Sequence, residues 1–125
     1  MRVKINVDFT GSAHVVLKKE EALSLLNKVS ESIGDSRNLS ESLRIIRNFD
    51  EYYRLSRKKF EEYLFPPKDP AESLRGLVVI QKIRLMKNKE DLVELVFDRR
   101  VETNLIVEAL KKIGFDEIIV EKQSF

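Results

Sequence analysis

The chain has 125 residues, so a single domain is expected, large enough for a core without metal or disulfide staples. Charged residues make up 35%, yet 23 basic against 21 acidic residues leave a net charge of only +2, which excludes a strongly basic nucleic-acid protein and an acidic disordered tail. Cysteine is absent and histidine occurs once, so disulfides, cysteine zinc sites, thiol catalysis and two-histidine metal sites are excluded.

Residues 2–9 alternate strictly, with Val3, Ile5, Val7 and Phe9 on one face and Arg2, Lys4, Asn6 and Asp8 on the other. That period of two predicts a half-buried strand. Thr10-Gly11-Ser12 reads as a turn, and alternation resumes at Ala13, Val15 and Leu17 to complete a hairpin. From Lys18 the spacing changes. Ala22, Leu25, Leu26, Val29 and Ile33 recur at three and four, which predicts an amphipathic helix stopped by Gly34. Asp35, Ser36 and Asn38 offer caps for a second helix. Its apolar face, Leu39, Leu43, Ile46, Phe49, Tyr53, Phe60 and Leu64, would extend it over 39–64. Such a helix is roughly 38 Å long, so it must kink, project or pack on a second subunit.

Pro66, Pro67 and Pro70 end that helix, and Asp69-Pro70-Ala71-Glu72 predicts a short helical turn. Residues 77–86 read as a strand, apolar on both faces from Leu77 to Ile80, with Lys82 and Arg84 then sharing one face. Residues 87–90 turn. Leu92 to Phe97 form a third strong strand, broken only by Glu94. Asp98 is placed to cap a helix over about 100–113, closed by Gly114, and Ile118-Ile119-Val120 form a last strand.

The expected fold is α+β: an antiparallel sheet of four or five strands with helices mainly on one face. Merging the helices and setting aside the second hairpin arm gives βαββαβ, the ferredoxin-like order, with an N-terminal hairpin and a long helix inserted before the second strand pair. The domain spans 1–125, with a helical and hairpin half over 1–65, a proline-rich connector over 66–76 and a strand-rich half over 77–125. The start of the chain carries charges at once and no segment is long and apolar enough to cross a membrane, so no membrane partner and a cytoplasmic location are expected. Few glutamines, no tryptophan and abundant Lys, Arg and Glu give a thermophile-like composition.

No glycine-rich phosphate loop and no nucleophile elbow occur. His14 reads as a surface residue of the hairpin. Three functional readings remain. In the first, the chain is a non-catalytic interaction module, a homodimer or a subunit of a larger assembly. Its interface candidates are the aromatic cluster Tyr52, Tyr53, Phe60, Tyr63 and Phe65. Apolar Val78, Ile80, Leu92 and Val96 on the open sheet face would also need a cover. In the second, RNA or DNA binds a basic sheet face. In the ferredoxin-like order Arg2 and Lys4 lie beside Lys82 and Arg84, with Arg99 and Arg100 as further phosphate contacts. In the third, Asp8 and Asp98 share a divalent cation in a small enzyme acting on phosphate esters. No resident cofactor or metal is expected otherwise.

Overall fold

The computed structural model describes residues 1–123. Within them the chain order is β1 (Arg2–Val7), β2 (Ala13–Lys18), α1 (Lys19–Ile33), α2 (Arg37–Arg47), α3 (Phe49–Lys58), α4 (Pro70–Leu74), β3 (Ile80–Lys87), β4 (Asp91–Phe97), α5 (Thr103–Lys112) and β5 (Glu117–Lys122). The five strands form one sheet in the order β3-β4-β2-β1-β5. Three neighbouring pairs are antiparallel, but β5 runs parallel to β1, from Arg2↔Glu117 to Val7↔Lys122. The sheet is therefore mixed, not antiparallel throughout. The parallel pair follows from α5, which carries the chain from the end of β4 back across the sheet before β5 starts.

The ferredoxin-like order is not confirmed. That fold has an antiparallel sheet, whereas here β5 runs parallel to β1, and β2 stands between β1 and β4. The second hairpin arm causes this: β2 is no appendage but the central strand, paired to β1 through Ile5↔Val15 and to β4 through Val15↔Leu95.

Alternation does its expected work on β1 and β2. Val3, Ile5, Val7, Val15 and Leu17 are buried, and α1 lays Ala22, Leu25, Leu26 and Val29 against them in one core with Ile46, Phe49, Ile106 and Leu110. Burying a side chain of this kind contributes about 1.5–3 kcal/mol. Gly34 ends α1 at a φ of +108°, a conformation that costs glycine no steric penalty.

The expected long helix is broken twice. At Asn48 the backbone leaves helical geometry (φ −102°, ψ 44°) and the side-chain amide donates to the Arg44 carbonyl at 2.9 Å. This local bond competes with the helical ladder. After Lys58 the chain stops being helical, and Leu64 instead exchanges main-chain hydrogen bonds with Ile83 at 2.7 and 2.8 Å. Residues 59–64 thus run to the outer edge of β3. The cap of α2 is Ser36, whose hydroxyl accepts from the Leu39 N–H at 3.1 Å. Asn38, also a cap candidate, lies fully buried inside the helix.

Asp98 does not cap the last helix. That helix starts at Thr103, and Asp98 instead accepts from the Arg100 N–H at 2.9 Å, closing a turn. The apolar residues expected on the open face are mostly covered: Val78, Ile80 and Val96 are 3%, 0% and 1% exposed. A bulge between Ile80 and Lys82 explains Ile80. It pairs with Phe97, on the helix side, while Lys82 pairs with Val96 on the other. Val96 stays on the open face, flanked in register by His14 and Lys82. Phe97 is buried, whereas Phe9, expected on the buried face of the first strand, falls in the turn after β1 and is 65% exposed. Among the described residues no helix is long and apolar enough to cross a membrane.

Candidate functional site

Helices α1, α2 and α3 pack on β2, β3 and β4 on one side of the sheet. On the other side strand alternation turns Asn6, His14, Glu94, Lys82 and Arg84 outward, and the register brings them together: Asn6↔His14, His14↔Val96, Lys82↔Val96 and Arg84↔Glu94. The result is a charged network. His14 lies between two carboxylates, with Nδ1 2.9 Å from Glu94 Oε2 and Nε2 2.8 Å from Asp8 Oδ2. Glu94 Oε1 takes Arg84 Nε at 2.8 Å as an ion pair; the N–H does not point along this contact, so it is not a hydrogen bond. The Tyr63 hydroxyl reaches the same oxygen at 3.4 Å. Lys82 Nζ sits 4.1 Å from the Tyr63 ring centre, and Arg84 also pairs with Glu62 at 3.2 Å.

Electrostatics follow from these contacts. Burial raises the Asp8 pKa, but the Thr10 hydroxyl, the His14 ring and the Ser12 and Thr10 N–H groups outweigh it and hold the carboxyl down at about 2. Burial, and then the charge of Glu94, push the Tyr63 phenol above its ordinary value. Burial also works against ionised Asp98, but the Arg100 side chain and N–H hold its pKa below the usual value. Both ring nitrogens of His14 are engaged by carboxylates. The ring therefore offers no free nitrogen to take a proton from a substrate, and its role is to tie β2 to β4 and to the β1–β2 turn.

Arg2 and Lys4 share the open face with Lys82 and Arg84, as expected, but not side by side. Three strand spacings separate β1 from β3, about 14 Å. Several of these charges are already matched: Lys4 with Glu121 at 3.1 Å, Arg84 with Glu94, and Arg100 with Asp98 at 3.0 Å. Arg99 lies elsewhere, in the turn between β4 and α5, close to the β1–β2 turn.

The two metal-ligand candidates are engaged by protein groups. Asp8 Oδ1 accepts from the Thr10 N–H, the Thr10 hydroxyl and the Ser12 N–H at 2.9, 2.6 and 3.1 Å. Asp98 is held by Arg100. Among the described residues no group of three or more His, Asp or Glu side chains is arranged to hold a metal ion.

The aromatic candidates divide. Tyr52 and Tyr53 are half-buried against the core, with Tyr53 stacked on Phe49 at 6.0 Å. Tyr63 joins the charged network. Phe60 is 96% exposed on a backbone with φ +56°, and Phe65 is 66% exposed with Lys68 Nζ 5.4 Å from its ring centre. Sequence reasoning missed Glu94, and the signal was there: it is the only charge within the apolar run 92–97. Comparison with protein families, with curated proteins and with solved structures finds no match for the chain.

Proposed function

We propose that the chain is a non-catalytic interaction module that works as a homodimer or as a subunit of a larger assembly, in a cytoplasmic setting, with Phe60 as its principal contact. The observation that carries this reading is the Phe60 ring itself. It is 96% exposed and stands on a backbone with φ +56°. Bulky residues adopt that conformation rarely, and such strain costs about 1–3 kcal/mol. The conformation itself ends α3, with the Phe60 N–H donating to the Arg57 carbonyl at 3.2 Å and the Glu61 N–H to the Ser56 carbonyl at 2.9 Å, a stop that glycine usually fills. The Phe60 ring buries nothing inside its own chain and is left for a partner. Buried aromatic anchors supply much of the binding energy of protein interfaces. Phe65, also between α3 and α4, adds a second exposed ring.

Light scattering over a wide concentration range, at low and high salt and with and without nucleic acid, tests the reading. A dimer or larger species in the absence of nucleic acid is expected. A strict monomer at millimolar concentration overturns it.

Nucleic-acid binding through Arg2, Lys4, Lys82 and Arg84 is the second reading and has less support, because acidic neighbours neutralise two of these charges and two further strands lie between those that carry them. A monomer that gains mass only when RNA or DNA is added, and loses it steeply with salt, would select it. The phosphate-ester enzyme using Asp8 and Asp98 has the least support, since both carboxylates are occupied by hydrogen bonds within the chain.

A further inference from the structure

We propose that the pocket between the β1–β2 turn, the proline-rich connector and the β4–α5 turn binds a small phosphate-bearing anion. The sheet puts these segments together. β1 and β4 end, and β2 and β3 begin, at one edge, as the pairs Val7↔Ala13, His14↔Val96 and Ile80↔Phe97 require. The turns touch: a Cβ on Gly11 would lie 3.9 Å from Arg99 Cβ. Between them is a pocket of about 350 Å³, lined by Thr10, Ser12, Lys68, Gln81, Asp98 and Arg99. That volume suits one small molecule.

The charges in this pocket do not balance. Lys68 Nζ donates to the Gln81 carbonyl at 2.7 Å and rests over the Phe65 ring, with no carboxylate at ion-pair distance among the described residues. Burial lowers its pKa and the charge of Asp98 offsets this only in part, so an anion is the partner its ammonium lacks. Arg99 likewise forms no ion pair among the described residues. The one acid in the pocket, Asp98, is already held by the Arg100 N–H and Nε at 2.9 and 3.0 Å. Lys68 and Arg99 therefore remain as uncompensated cations.

Neutral donors complete the set. The Gln81 carboxamide carries two N–H groups. The Ser12 hydroxyl makes two long contacts, donating to Gln81 Oε1 at 3.3 Å and accepting from the Thr10 hydroxyl at 3.4 Å, and can turn to an incoming oxygen. A guanidinium, an ammonium, an amide and a hydroxyl around one pocket match the several oxygens of a phosphate group. This site uses none of the Phe60 surface, so it stands apart from the interaction reading.

The test is an amide NMR titration of the full chain with inorganic phosphate and, separately, with glycerol phosphate, against chloride at equal ionic strength. Saturable shifts confined to residues 10–12, 68, 81 and 98–100 are expected. Arg99→Ala and Lys68→Ala should each weaken binding about tenfold or more with an unchanged circular dichroism spectrum. Stronger binding of glycerol phosphate than of phosphate would assign the site to an organic ester, and the reverse to the free ion. The proposal is overturned by the absence of saturation at tens of millimolar, by equal shifts in both variants, or by a single-stranded oligonucleotide binding these residues far more tightly than either small anion.

Discussion

Asn38 holds the main chain of Ile80 at both its polar groups: Oδ1 accepts from the Ile80 N–H at 2.8 Å, and Nδ2 donates to the Ile80 carbonyl at 2.9 Å. The same carboxamide accepts from the Val79 N–H at 2.9 Å and donates to the Pro67 carbonyl at 3.0 Å. One fully buried side chain thus joins α2, the proline-rich connector and the start of β3, where the bulge has interrupted regular pairing. Replacing it leaves four main-chain groups without these partners. Asn38→Ala should cost about 3–4 kcal/mol, more than most single substitutions. Urea unfolding monitored by circular dichroism checks this; a loss under about 1 kcal/mol would mean that water replaces the carboxamide.

Glu94 has the corresponding role on the open face. Its side chain is 8% exposed and faces both Arg84 and His14. Removing one member of a buried charged set leaves the others uncompensated, so Glu94→Ala should cost about 3 kcal/mol. Glu94→Leu, which removes the charge but fills the space, should lose as much, because Arg84 and His14 stay behind. The triple change Glu94→Leu, Arg84→Met and His14→Val should recover most of the stability. A triple variant no more stable than Glu94→Ala would show that the network is not the cause. Tyr63 offers a second readout: without the Glu94 charge its phenol should titrate closer to its ordinary value, read by tyrosinate absorbance.

Asp8 sets a pH dependence with a definite sign. Its folded pKa of about 2 lies below the ordinary 3.8 of an aspartate. The stability it contributes is present in full above the unfolded value and is lost as pH falls from there through the folded one. The contribution is at most about 2 kcal/mol, reduced by solvent at this partly exposed carboxylate. Asp8→Asn keeps the acceptor for the turn but cannot ionise. The stability gap between the native chain and Asp8→Asn should therefore narrow as the pH is lowered from about 5 towards 2, where other carboxylates cancel in the comparison. A gap that is constant over that range would show that the turn, and not the charge, accounts for the effect.

The strands and helices of this protein were legible wherever a side-chain period ran uninterrupted. Val3, Ile5 and Val7 declared β1, and Leu25, Leu26 and Val29 declared the buried face of α1. What escaped the pattern were single residues that change the chain's course. Asn48 breaks a helix whose apolar spacing continues past it, because an amide bonding to its own turn leaves no mark on periodicity. The bulge before Lys82 moves Ile80 to the opposite face, and a period of two cannot register an extra residue. Strand order was less accessible still. Nothing in the sequence of 13–18 distinguishes a terminal hairpin arm from the central strand of the sheet, since both alternate. The candidate site fared likewise: Asp8, Lys82 and Arg84 were named, but His14 and Glu94 became meaningful only once β2 and β4 were adjacent.

Phe60 gives the prediction in which stability and function part company. If the ring served the fold, deleting it would destabilise the chain. If it serves a partner, its backbone strain is a cost to the isolated chain that glycine removes. At φ +56° glycine is unstrained, and the ring buries nothing that would be lost. Phe60→Gly should therefore leave the monomer as stable as the native chain or more so, by up to about 1 kcal/mol after the added flexibility of the unfolded glycine is offset. The same substitution should weaken self-association by about tenfold or more, as loss of an aromatic anchor does. Unfolding measured at a concentration below the dimer threshold separates the two effects, and light scattering above it reads the second. A less stable monomer would assign the ring to the fold and remove Phe60 from the interface.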